Sequence, residues 1–131
     1  MPIHLIAILA ATFASYVLGS LWYLAIGKSW RRALGWRDDG TSYRPTPVEL
    51  IVALIGQLMM ATALSGLMVH MNFGTPRTGM LTGFGIWLGF ILPGLVTNVV
   101  FQRRNLSLIW QDGLHWLVVL AAQGFVLGLL F

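Results

Sequence analysis

The chain has no cysteine, only four acidic residues and only eight Lys and Arg among 131 residues. Without cysteine there can be no disulfide, thiolate metal site or cysteine nucleophile, and the redox compartment goes unmarked. Charged residues make up 9% and hydrophobic residues 57% of the chain, whereas soluble domains carry about a quarter charged residues. A mean hydropathy of +0.79 excludes a water-soluble domain. The scarcity is also patterned: residues 1–27, 50–76, 78–102 and 113–131 contain no Asp, Glu, Lys or Arg.

A helix rises about 1.5 Å per residue, so about twenty uncharged apolar residues cross the roughly 30 Å of hydrocarbon in a bilayer. The four stretches are continuously apolar rather than alternating, which favours helices over a β-barrel. The expected fold is therefore all-α: a polytopic integral membrane protein of one domain, 1–131, with four transmembrane helices in a compact antiparallel bundle. The helices are expected at about 3–26, 47–72, 78–102 and 108–130. Ala11-Thr12-Phe13-Ala14 imitates a signal-peptide cleavage site. The segment has no basic n-region and its apolar run is too long, so a retained first span is expected.

Residues 28–47 carry Lys28, Arg31, Arg32, Arg37 and Arg44, and the third connection adds Arg103 and Arg104, while the second connection has only Arg77. The positive-inside rule places the Arg-rich side in the cytoplasm and both termini outside it. The localisation expected is the bacterial inner membrane, with anionic lipid headgroups as partners of the basic loops. Nucleic acid is not an expected partner, because only short loops could offer a basic surface.

Thr46-Pro47-Val48-Glu49 is a capping box with proline at the first helical position, and Asn72-Phe73-Gly74 is a stop. Thr75-Pro76 can open the third helix. The fourth start is open: Asp112 could cap a helix from Gly113, or Asn105 or Ser107 could cap one that includes Trp110 and Asp112. Residues 29–34 could form a short interfacial helix, and Asp38-Asp39-Gly40 reads as a turn. The Arg31-Arg32 and Arg103-Arg104 pairs hint at a duplicated hairpin, although any inward-running helix would end in such residues.

Small residues recur at helical spacing: Ala7, Ala11, Ser15 and Gly19; Gly79 and Gly83; Gly85 and Gly89; Gly124 and Gly128. In lipid, helices associate through the close approach that small residues permit. The pattern fits packing within one bundle or a homodimer face. Pro93-Gly94 lies inside the third helix, where proline frees the carbonyl of Gly89 and bends the helix or creates a hinge.

Two polar groupings emerge from counting depth along the helices. Tyr16, Gln57, Gln123 and the Gly89 carbonyl freed by Pro93 fall about 13–18 Å from the cytoplasmic ends, near the midplane. They could form an interhelical clasp, or line a small ligand site or path. Nearer the cytoplasm lie Trp22, Tyr23, Lys28, Trp30, Asn98, Arg103, Arg104, Asp112 and His115. These are interfacial anchors, or a site for an anionic headgroup or polar metabolite. Asp112 and His115 are three apart, so on a helix they share a face, and Asp112 could pair with Arg103 or Arg104. His4 and His70 both lie toward the outer side, without the carboxylate or cysteine that would favour a metal or haem. No metal site, cofactor or catalytic residue is expected. There are no paired carboxylates, Gly-x-Ser-x-Gly or His-Glu-x-x-His, and no membrane-embedded acid on helix one of the kind on which small multidrug exporters depend.

Read in order, Leu18-Gly19-Ser20-Leu21-Trp22-Tyr23, Gly27-Lys28-x-Trp30, Gly85-xxx-Gly89-Phe90-xx-Pro93, Asn98-xx-Phe101-x-Arg103-Arg104 and Asp112-Gly113-x-His115 resemble a bacterial family. It is the set of small four-helix membrane proteins catalogued as domain of unknown function 1761. The resemblance covers nearly the whole chain and implies four spans and no established activity. It draws Asn98, Arg104 and His115 into the cytoplasmic-side group. The leading expectation is a non-enzymatic, homodimeric membrane protein binding a small or lipid-like ligand at that aromatic and basic cluster. The alternatives are a small dimeric transporter or channel with a midplane path, and an accessory subunit of a larger complex with an unidentified membrane partner.

Overall fold

A computed structural model of the chain describes residues 2–36 and 45–131. Arg37, the Asp38-Asp39-Gly40 turn and Arg44 lie outside the described residues. The described residues form α1 (Pro2–Ala33), α2 (Pro47–Met71), α3 (Pro76–Ile86), a π-helical turn (Trp87–Ile91), α4 (Leu92–Phe101) and α5 (Ser107–Leu129). The segment Pro76–Phe101, made of α3, the π turn and α4, acts as one span. With it, four helices are long and apolar enough to cross a membrane.

Local chemistry explains the element ends. Thr46 accepts from the Glu49 amide and Glu49 reaches back, closing the expected capping box at α2, and Thr75 and Thr78 do the same at α3. Asn72 stops α2 in the left-handed conformation, φ 56°, with the Phe73 amide on the Met68 carbonyl at 2.9 Å. At α5 the Asn105 side chain accepts from the Ser107 amide at 2.9 Å, so the longer alternative holds and Asp112 lies inside the helix.

Two ends depart from expectation. The first helix does not stop near residue 26, and residues 29–34 form no separate interfacial helix. Residues 29–33 continue α1, ending with Arg31 and Arg32 in its last turn, where cations complement the helix dipole. The stop is Gly35, at φ +80°, with the Trp36 amide returning to the Arg31 carbonyl at 3.0 Å, a glycine-terminated motif of the usual kind. In the third span, Pro93 has no amide to donate. Just before it the ladder widens into the π turn, with the Leu92 amide on the Trp87 carbonyl.

The second helix pairs with α1, and α5 lies between α1 and the third span. Of the described helices, α5 has the most buried residues, among them Leu108, Val119, Leu120 and Leu127. The contact between α3 and α5 is a meeting of glycines. A methyl group at Gly79 would collide with the Gly124 carbonyl, one at Gly83 with the Leu120 carbonyl, and one at Gly128 with the Thr75 carbonyl. Ala7, Ala11, Ser15 and Gly19 are all buried, with Gly19 against His115 and Val119 of α5. Most of the small-residue stripes are thus consumed within one chain. Gly85 and Gly89 are not, since nothing lies within 4 Å of a methyl placed at either.

Outward faces carry large apolar side chains: Phe13 is 71% exposed, Leu24 78%, Phe90 76% and Phe101 82%. So much exposed apolar surface would aggregate in water and is at home in lipid. The helices are those of a multi-pass membrane protein.

Candidate functional site

The polar groups fall into two separate constellations, both on the face of α5 that meets α1. The first is a clasp deep in the bundle. Ser15 Oγ donates to Gln57 Oε1 at 2.8 Å. Gln123 Nε2 donates to Ser15 Oγ at 3.1 Å and to the Gln57 carbonyl at 2.9 Å. All three residues are buried. The clasp therefore ties α1, α2 and α5 together through Ser15, whose role as a hydrogen-bond hub its place in a small-residue stripe conceals.

Tyr16, Gly89 and Pro93 do not join this clasp. The Tyr16 hydroxyl turns to the Leu50 carbonyl at 3.2 Å, while Gly89 and Pro93 are exposed on the outer surface of the third span. The expected midplane grouping shared a depth but not a face. An apolar groove lies nearby between α2, the third span and α5, lined by Met60, Leu64, Leu67, Ile86, Ile91 and Leu120. It has no polar group that could specify a ligand.

The second constellation sits where the end of α1 meets the start of α5. Trp22 Nε1 donates to the Gln111 carbonyl at 2.8 Å. From the other side of α5, Trp87 Nε1 donates to the Gly113 carbonyl at 2.7 Å. Two indoles from different helices thus pin two carbonyls within one turn of backbone, and fix the rotation of α5. Asp112, between the pinned residues, is presented to α1. Its Oδ1 accepts from the Tyr23 hydroxyl at 2.5 Å and from Trp30 Nε1 at 3.0 Å. The Tyr23 ring lies 4.8 Å from Trp30 and 4.4 Å from His115, and Trp36 meets Trp30 edge-on at 5.6 Å. Trp116 meets His115 edge-on at 4.6 Å.

His115 is buried, 5% exposed, and it fits only because position 19 is glycine: a methyl group there would lie 2.7 Å from Nε2. Among the described residues its Nδ1 has no hydrogen-bond partner, and the same is true of Gln111 Oε1 and Gln123 Oε1. Gln111, His115 and Gln123 belong to one row of α5 spaced by four residues. The four-residue spacing from His115 back to Gln111 is the sequence signal that adds Gln111 to the buried polar row.

Several residues of the cytoplasmic-side grouping stand apart. Lys28, Asn98, Arg103 and Arg104 are exposed. Among the described residues the guanidinium of Arg104 reaches only the Gln102 side chain, at 3.5 Å. Arg103 occupies the left-handed position that ends α4, φ 54°. Asp112 takes its hydrogen bonds from a phenol and an indole rather than from Arg103, Arg104 or His115. Trp22, Tyr23, Trp30, Asp112 and His115 are brought together, and they form an aromatic and acidic site rather than an aromatic and basic one. His4 packs edge-on against Phe131 at 5.8 Å. Among the described residues no three His, Asp or Glu gather as metal ligands would.

The family model described as "Protein of unknown function (DUF1761)" matches residues 6–128, and the chain belongs to that family. No curated protein and no solved structure matches the chain.

Proposed function

We propose that this chain is a non-enzymatic protein of the bacterial inner membrane that binds a small or lipid-like ligand between α1 and α5. In this reading it is a compact antiparallel bundle with both termini outside the cytoplasm, and the Asp112 site faces the cytoplasmic leaflet. The observation that carries the reading is the convergence of Tyr23 and Trp30 on one oxygen of Asp112. A carboxylate near lipid is costly, and such residues mark binding or conduction sites more often than they hold a bundle together. Here the glycine contacts between α3 and α5 and the Ser15 clasp already provide the packing. The exposed Lys28, Arg32, Arg103 and Arg104 act as anchors to anionic headgroups. Gly85 and Gly89 offer a face where a second copy would pack.

The test is ligand-dependent thermal stability of the detergent-purified protein, read by intrinsic tryptophan fluorescence after adding lipid and metabolite extracts from its host. A stabilising fraction should lose its effect on Asp112→Asn and Trp30→Phe and keep it on Arg104→Ala. Loss on Arg104→Ala with retention on Asp112→Asn would overturn the assignment, as would a fraction that stabilises all variants equally.

A further inference from the structure

We infer that the apolar groove between α2, the third span and α5 seats one acyl chain of a membrane phospholipid. The groove shares no residue with the Asp112 site, and the inference does not rest on the reading above.

The groove owes its shape to the π turn. Ile86 and Ile91 form its wall on the third span. On an α-helix, residues five apart point about 140° away from each other, at about 100° per residue. Hydrogen bonds that reach back five residues, as from the Leu92 amide to the Trp87 carbonyl, turn the two isoleucines toward one side. Turns of this kind are frequent at functional sites. Met60, Leu64 and Leu67 of α2 stand opposite. Among the described residues α2 approaches the backbone of the third span through α3 alone, so the π turn leaves a gap beside it.

Depth, shape and chemistry together select the occupant. Leu64 and Leu120 make a floor, each 2% exposed, while Ala63 and Leu67 form a rim open to the bilayer. The hollow has a volume of about 120 Å³, close to the roughly 150 Å³ of an apolar cavity that accepts benzene. An α-helix with its side chains is about 10–12 Å across and cannot enter such a space, whereas a single alkyl chain can. Water is excluded, since it needs about two to four polar partners and every lining residue is apolar. Met60 and Leu67 are one groove wall, and their spacing makes the trough about 10 Å long, running along the helix axis as lipid tails do. Leu64 lies seven residues before Met71, and Ile86 ten after Pro76. Both are therefore about 10–15 Å from the helix ends, at the level of the acyl chains. In lipid no hydrophobic force closes the gap, and an empty floor forfeits dispersion contacts that a chain restores.

The test places the full-length protein in nanodiscs containing a trace of phosphatidylcholine with a photoreactive diazirine midway along one acyl chain. Irradiation is followed by mass-spectrometric mapping of the adducts. A chain in the groove should label Leu64 and Leu120 above Leu108 and Leu127, leucines just as buried but outside the groove. Bulk lipid labels by exposure, so Phe13 and Phe90, 71% and 76% exposed, report the background. Ala63→Phe puts a ring into the groove and should cut the floor labelling about tenfold, the scale of an overpacked contact, without changing that at Phe13 or Phe90. Should that variant fail to fold, Leu67→Trp narrows the same rim one turn along and carries the same expectation. Floor labelling no higher than at Leu108 and Leu127 would overturn the inference, as would floor labelling that neither variant reduces. A floor labelled in discs holding one copy but not in discs holding two would mean that a second copy covers the groove, and would overturn it as well.

Discussion

Gly79 and Gly85 lie on the same helix six residues apart, and the structure assigns opposite signs to the same substitution at the two. At Gly79, a methyl group would overlap the Gly124 carbonyl, which is backbone and cannot swing away. Relief requires α3 and α5 to separate. Overpacking of a close-packed contact costs about 1–3 kcal/mol, and a backbone obstacle belongs at the upper end. Alanine regains up to about 1 kcal/mol of helix propensity over glycine. The net for Gly79→Ala is therefore a loss of about 2 kcal/mol. At Gly85 nothing lies within 4 Å of the added methyl, so Gly85→Ala keeps the propensity gain and should stabilise by about 0.5–1 kcal/mol. Reversible unfolding in mixed micelles of increasing SDS content, followed by circular dichroism, measures both. An unchanged or raised stability for Gly79→Ala would refute the glycine-mediated contact. A loss at Gly85 that depends on protein concentration would mean that a second copy covers that face.

Three further outcomes are expected. Gln123→Leu removes the hydrogen bonds to Ser15 and the Gln57 carbonyl and should cost about 1 kcal/mol in the same assay, since hydrogen bonds between membrane helices average about 0.6 kcal/mol. A loss above about 4 kcal/mol would mean that the clasp does more than tie helices. Gly19→Ala pushes a methyl group to 2.7 Å from His115 Nε2, displacing the ring that stacks on Tyr23. It should weaken ligand-dependent stabilisation more than it lowers the unliganded melting point, and the reverse order would count against His115 as part of the site. Because the chain has no cysteine, a single introduced thiol reports topology cleanly. Asn72→Cys should react with an impermeant maleimide on intact cells, and Ser29→Cys only after permeabilisation. The opposite pattern would invert the proposed orientation.

The four spans could be read from sequence because their signal is additive: some twenty residues without a charge state their own environment. The capping box at Thr46 and the stop at Asn72 were equally legible, being decided within a few residues. The end of α1 was not. The charge-free stretch ends at Gly27, but a glycine terminates a helix only when the next residues can close the motif. Gly35 could do so, through the Trp36 and Arg31 backbones. The π turn was hidden for a similar reason: Pro93 announced a defect in the ladder but not whether a bend or a widened turn would absorb it.

The site shows the sharper limit. Counting residues fixes depth, at about 1.5 Å each, but direction turns by about 100° with every residue and depends on what pins the helix. Asn98, Arg103, Arg104, Asp112 and His115 were placed at one depth, and the structure distributes them over different faces. Asp112 meets Tyr23 and Trp30 because two indoles hold the Gln111 and Gly113 carbonyls and set the rotation of α5. Those bonds join residues far apart in sequence, so no local pattern encodes them. With the arginines outside it, the grouping is built around an acid instead of a base.

The most direct measurement of the central claim is an experimental density map of the protein extracted in its native lipid. The account expects ligand density between α1 and α5, against Asp112. A map with bound molecules only beside Arg103 and Arg104 would contradict it.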